Sequence, residues 1–185
     1  AINQAQWGKA SKHPALGAAE YKLAVHLPTG RSVYTFCMCP GGEVVAAASE
    51  EGGIVTNGMS RYARAGKNAN SAVLVNVDPA DFGSSDVLAG VQLQREIEQA
   101  AFRVSAEHGG KPYEAPSQRV GSFLGGSAPV KGVKPAPTYA RGVIEAPIAE
   151  CFPSFVSESL AQALPLLGRK LKGFDDPNAL MTAPE

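Results

Sequence analysis

The sequence predicts an α+β domain, a largely antiparallel β-sheet followed by helices. Three observations carry this. Segments with the two-residue period of strands crowd the chain up to residue 77, and segments with the helical period follow from residue 87. The β-α-β alternation that builds a parallel nucleotide-binding sheet is missing, as is any internal repeat of solenoid period. The 20 glycines and 14 prolines call for many turns and at least one irregular connection.

Taken in order, residues 2–10 suit a short helix ending near Gly8 and the turn from Ser11 to Pro14. Residues 21–27 alternate, with Tyr21, Leu23 and Val25 on one face, which predicts a half-buried strand. Pro28-Thr29-Gly30 is a turn. Residues 31–39, RSVYTFCMC, are aromatic and β-branched and predict a strand, with Val33, Thr35, Cys37 and Cys39 on one face and Tyr34, Phe36 and Met38 on the other. Pro40-Gly41-Gly42 then predicts a sharp turn and residues 43–48 a return strand, so residues 31–48 read as a hairpin. Residues 53–57 and 71–77 are further strands. Ser85-Asp86 is a candidate cap for a helix over residues 87–107, whose apolar stripe is Leu93, Ile97, Ala100, Ala101 and Val104. Gly109-Gly110 stops it. A short helix carrying Val120, Phe123 and Leu124 follows Ala115-Pro116, and residues 125–142 form a surface loop. A second apolar helix spans residues 153–164, with Phe155, Val156, Leu160 and Ala163 inward and Pro165 ending or kinking it.

Composition narrows the functional classes. Hydrophobic residues make up 44% and charged residues 18%, an ordinary globular balance. With 17 basic and 17 acidic residues, the chain has no electrostatic footprint for nucleic acid or an anionic membrane. No apolar run approaches the ~18 residues of a spanning helix, and no basic-then-apolar leader opens the chain. Three cysteines are too few and too odd in number for a disulfide framework, which points to a reducing cytoplasm. The start lacks a methionine and the final NALMTAPE carries no stop signal, so both ends are expected to lie inside a longer gene product.

The motifs that would name a reaction are missing: there is no G-x-G-x-x-G after a strand, no G-x-x-x-x-G-K-[ST], no H-E-x-x-H and no C-x-x-C. The sharpest local feature is Cys37-Met38-Cys39-Pro40-Gly41-Gly42. On a regular strand, two cysteines at i and i+2 stand ~5.5 Å or more apart at Cβ, beyond the ~3.8 Å of a disulfide, so a bridge between them needs a bend. They read either as small buried hydrophobes or as reactive thiols. A zinc site from Cys37, Cys39 and Cys151 with one of His13, His26 or His108 is possible by count, but no recognised spacing supports it. The second feature is Asn57-Gly58-Met59-Ser60 with Arg61, Arg64, Lys67, Asn68 and Asn70. Asn57-Gly58 predicts a turn, and Ser60 a cap for a short helix whose first turn would hold Arg61 and Arg64. Cations there want an anion nearby; the plainer reading is a polar turn with solvated arginines. Gln118-Arg119 reads as surface polarity, Asp175-Asp176-Pro177 as a turn, and Trp7 as core or interface.

The run RSVYTFCMCPGGEVVAAASEEGGIVTNGMSRYARAGKNANSAVLV resembles the FAD-dependent dehydrogenase family of uncharacterised bacterial flavoproteins. The resemblance extends back to INQAQWGK and LGAAEYKL, and forward through AGVQLQREIEQAAF, APSQRVGSFLGG, LAQALPLLGRKLKGF and ALMTAPE, so it covers nearly the whole chain. It implies a two-domain flavoprotein in which this chain is an inserted, substrate-side domain covering the flavin, with the Rossmann-type FAD-binding domain of the same polypeptide elsewhere. It also implies that Tyr34, Phe36, Pro40, Gly41 and Gly42 approach the flavin, with Cys37 and Cys39 as catalytic candidates. Asn57, Gly58, Met59, Ser60, Arg61, Asn68 and Asn70 would then line the cleft of an unidentified small-molecule substrate. FAD is expected in the full-length protein and not tightly on this chain alone, whose uncovered face would favour self-association. Two other classes remain beside it: a non-catalytic binding or interaction module, and a small thiol-redox protein using Cys37 and Cys39.

Overall fold

The computed structural model describes residues 13–15, 22–126, 132 and 134–185. The helix expected over residues 2–10, Trp7 and Tyr21 lie outside them. Among the described residues the fold is α+β, with a four-stranded antiparallel sheet, a three-stranded mixed sheet and three helices.

The first sheet holds β1 (Ala24–His26), β2 (Ser32–Ala46), β3 (Thr56–Ser60) and β4 (Asn68–Val75). β2 is its spine: β1 and β4 flank its first half and β3 its second, all antiparallel. Val33 and Thr35 are buried on one face, as the period of two requires. Gly30 closes the turn from β1 at a φ of 86°, a left-handed geometry that costs glycine little.

The hairpin expected over residues 31–48 does not form. β2 runs unbroken through Pro40-Gly41-Gly42, and its register against β4 shifts between Phe36 and Cys39 and again between Cys39 and Gly42. Cys37 has a φ of 44° and Gly41 of 55°. Positive φ serves a bulge as well as a turn, so the same residues bend the strand where reversal was expected. Proline, with no N–H to place in a ladder, is tolerated at such a bulge. The partner strands are therefore β3 and β4. TNGMS is strand and not turn, and Ser60 caps no helix.

The second sheet is β5 (Ala115–Arg119) between β6 (Val143–Glu145), parallel to it, and β7 (Leu180–Thr182), antiparallel. All three are short, and none shows a clear period in sequence. α1 (Ala89–Glu107) packs on this sheet with Ala101 and Val104 buried, while Leu93, Ile97 and Ala100 are half-buried. Asp86, two residues ahead of Leu88, accepts the Leu88 N–H at 2.7 Å. A four-residue helix, α2 (Val120–Phe123), follows β5 directly. α3 (Ser154–Lys170) lies against β1, β2 and β4 through Val156, Leu160, Ala163 and Leu167, one stripe at i, i+4, i+7 and i+11. Pro165 does not end α3. It is exposed, so the carbonyl that loses a backbone donor there is on the side where water can serve it.

Two cores result. One gathers Val25, Leu27 and Val33 with the α3 stripe; the other gathers Ile54, Ala101, Val104, Ala115, Ile148 and Cys151. Phe152 packs against both. Arg31 braces the first core from outside. Its guanidinium donates to both oxygens of Asp81, at 2.9 and 2.6 Å, and lies 4.2 Å over the Phe155 ring.

Candidate functional site

The bend in β2 draws the two conspicuous motifs together. Asn70, on β4, lays its carboxamide across Gly42 toward Gly58 on β3. A Cβ on Gly42 would stand 2.7 Å from the Asn70 Nδ2 and would collide with the Met59 carbonyl; a Cβ on Gly58 would collide with the Asn70 Oδ1. The glycines of both motifs are thus explained by one side chain crossing between strands. Asn70 Nδ2 donates to the Glu43 carbonyl at 3.3 Å, whereas its Oδ1 is buried without a hydrogen-bond partner. An orphaned buried acceptor costs roughly 1–3 kcal/mol.

Gly41 is spent on the chain itself as well. A Cβ there would strike the Arg64 carbonyl, and Gly66 N–H donates to the Gly41 carbonyl at 3.1 Å. The loop after β3 therefore seats backbone on backbone against the bend. Ser60 Oγ donates to the Pro40 carbonyl at 2.9 Å, and Asn68 Nδ2 to the Ala136 carbonyl at 2.8 Å. Arg61 needs no outside anion: it pairs with Glu43 at 2.8 Å, and hydrogen bonding from that guanidinium holds the Glu43 carboxyl below its usual range. Of the sequence-selected residues, Cys37, Cys39, Gly42, Gly58 and Asn70 come together. Tyr34 does not join them; it sits between Ala24 and Leu74 with the Lys22 ammonium 5.1 Å over its ring.

The three thiols are free. The left-handed geometry of Cys37 interrupts the regular alternation by which a strand would place Cys37 and Cys39. Cys37 is exposed; Cys39 is half-buried and its Sγ donates to the Gly58 carbonyl at 3.6 Å. Partial burial, then the negative charge of Glu185, push the Cys37 thiol up, away from ready thiolate chemistry. Cys151 is buried and pushed up to about 12 by desolvation. Among the described residues no group of three or more His, Cys, Asp or Glu side chains could hold a metal.

One residue of this region carried no signal in the sequence. The Pro184 carbonyl accepts both the N–H of Thr56, at 2.7 Å, and its Oγ, at 2.8 Å. That clamp holds the chain along the edge of β3 and leaves the next residue, Glu185, exposed there. Nothing in its sequence neighbours distinguishes Glu185; only the return of the chain past β7 brings it there. Around this cluster, large apolar side chains stand in solvent: Phe36 is 54% and Met59 49% exposed.

Among the described residues, then, an α+β fold carries a glycine-braced bend beside which Phe36 and Met59 are turned outward. The chain belongs to the family described as FAD-dependent protein, C-terminal domain-like, whose model matches residues 1–185. It is 43% identical over 185 residues to an uncharacterized protein of Clostridium beijerinckii. The alignment takes in 100% of this chain and 34% of that protein, so the chain spans about a third of the length of the curated relative it matches. No helix among the described residues is long and apolar enough to cross a membrane.

Proposed function

We propose that this chain is the substrate-side, flavin-covering domain of an FAD-dependent oxidoreductase of the dehydrogenase type, acting in the cytoplasm and inactive in isolation. The observation that carries the reading is membership of an FAD-dependent family by a chain that is a third of its relative's length. The remaining two thirds have room for the FAD-binding domain with its pyrophosphate cradle, which this sequence lacks. In the inserted arrangement, FAD-domain sequence would flank the chain on both sides; in a terminal one, on one side only.

The described residues suit contact with a flat ring better than capture of a dinucleotide. Phe36, Cys37 and Met59 offer an apolar, polarizable surface, and Asn70 Oδ1 beneath Gly58 lacks a donor. When bound, the flavin supplies the two-electron chemistry; this domain supplies orientation and excludes water. Phe36, Cys37, Cys39 and Pro40 are the residues of β2 proposed to face the ring. Asn57, Met59 and Ser60 are proposed for the substrate cleft, with Gly41, Gly42, Gly58, Asn68 and Asn70 holding the wall in shape and Arg61 held at its rim by Glu43.

The test is the visible spectrum of the full-length protein, with calorimetric titration of residues 1–185 by FAD. The expected result is a flavin spectrum from the long chain and no submicromolar binding by the short one. A colourless full-length protein overturns the flavin reading, and tight FAD binding by residues 1–185 overturns the division of labour between domains.

A further inference from the structure

We infer that the start of α1 is a docking surface, made by Val87, Leu88 and Val91, for the part of the polypeptide outside residues 1–185. These residues belong to other elements than the bend in β2. Val87 is 97%, Leu88 63% and Val91 49% exposed. Three adjoining apolar side chains thus stand in water at one end of a helix whose remaining apolar residues are turned inward.

The period of α1 sets these positions apart. Its core stripe runs through Leu93, Ile97 and Val104. At about 100° per residue, Val91 falls about 160° around the axis from Leu93. That is the face a solvated amphipathic helix makes polar. Beyond the first turn the residues outside the stripe are polar and mutually satisfied. Arg95 pairs with Glu50 at 2.7 Å, and Gln92 and Gln94 donate to Glu96 and Glu98 at 3.1 and 3.2 Å.

The outward orientation is built into the chain. Ala89 is buried, and Gly90 lies against Phe82, where a Cβ would stand 3.2 Å from the ring. With these two turned inward, Leu88 and Val91 on either side turn out. Asp86 closes the turn before the helix. Its carboxylate accepts the Leu88 N–H at 2.7 Å, its carbonyl accepts the Ala89 N–H at 3.0 Å, and its own N–H donates to Ser84 Oγ at 3.1 Å. Phe82 ends a short 3-10 helix (Pro79–Phe82) that the Asp81–Arg31 pair ties to the rest of the domain. A surface fixed in this way loses little freedom when it is covered.

The area and the length of the chain together select the occupant. Three Val and Leu side chains offer on the order of 300 Å² of apolar surface. Each partner in a standard interface between free proteins gives roughly 800 Å². The patch is therefore too small to hold a second copy of the chain by itself. It suffices for an occupant tethered to the same polypeptide, whose effective concentration is high without any further contact. This chain covers 34% of the relative to which it is 43% identical, so a tethered occupant of twice its size is at hand. Asp86 is committed to its turn and Arg95 to Glu50, so the face that meets the patch is apolar and not charged.

Hydroxyl-radical footprinting of the full-length protein, read by mass spectrometry, tests this. Val87, Leu88 and Val91 should be oxidised about fivefold more slowly in the native protein than in the same protein unfolded in urea, as covered side chains exclude water. The protection should persist over roughly a hundredfold dilution, because a tethered contact does not depend on concentration. In the variant carrying Leu88→Glu and Val91→Glu, side chains outside residues 1–185 should become more reactive, while buried Cys151 stays closed to iodoacetamide as proof of an intact fold. Native rates within about twofold of the unfolded ones show an uncovered patch and overturn the inference. Protection that disappears on dilution assigns the patch to a second copy and overturns the tethered occupant. The inference requires the remaining chain and not its cofactor, so the spectrum that decides the flavin reading does not decide this one.

Discussion

The core around Cys151 and the bend around Gly42 are built on opposite terms. At Cys151, Ile148, Ala115 and Val104 the chain is apolar, filled and closed to water. At the bend, the backbones and the Asn70 amide fill the interior, and the large side chains Phe36 and Met59 are turned out. Atoms removed from the first kind of region leave a cavity; atoms added to the second have nowhere to go. The core maintains the fold, and the bend holds a surface shape that the fold by itself does not need.

That contrast can be broken by substitution. The largest effect belongs to the filled cores: Leu167→Ala, at a fully buried position of α3, should cost about 2–5 kcal/mol in urea unfolding of residues 1–185. Next comes addition at the bend, where Gly42→Ala should cost about 1–3 kcal/mol, because the new methyl meets the Met59 carbonyl and the Asn70 amide. If Gly42→Ala proves neutral while Leu167→Ala does not, the bend is loosely packed and the contrast fails. Truncation at the bend is the smallest: Phe36→Ala and Met59→Ala should each stay within about 0.5 kcal/mol, since both side chains are already in water.

The cysteines sharpen the same comparison through rate. Native Cys151 should react with iodoacetamide only when its core opens, on the order of 10³ times more slowly than exposed Cys37, the two converging in denaturant. Equal native rates would mean that the Cys151 core is open.

A smaller test falls outside both regions. Hydrogen bonding from Arg31, then from the Asp78 N–H, lowers the Asp81 carboxyl from 3.8 to about 2. Its folded pKa lies below its unfolded one, so the pair stabilises fully above the ordinary value and that contribution is lost as pH falls toward about 2. Asp81→Asn should therefore flatten the acid side of the stability–pH curve, and an unchanged slope would show the pair to be idle.

Much of the fold was legible because it rests on period. The apolar stripe of α1, the Val156-Leu160-Ala163 face of α3 and the alternation through Val33 and Thr35 each state a local geometry that burial then rewards. The bend was legible as punctuation and misjudged as reversal. Pro-Gly-Gly announces positive φ, and whether positive φ turns a chain or bulges it depends on which strands arrive on either side. Here β3 and β4 arrive on opposite edges of β2. The short strands β5, β6 and β7 were missed because three to five residues carry too little period to read.

Strand and helix periods determined an α+β domain in the sequence, and its residue runs resemble those of FAD-dependent proteins, the family to which the chain belongs. Tertiary structure alone decided that one asparagine spans two glycines on different strands, that Cys37 is exposed while Cys151 is sealed, and that the Pro184 carbonyl meets Thr56, 128 positions away along the chain. The physical reason is range. Period and turn chemistry act over a few residues and are written locally, whereas a site assembled from distant segments exists only once packing has brought them together.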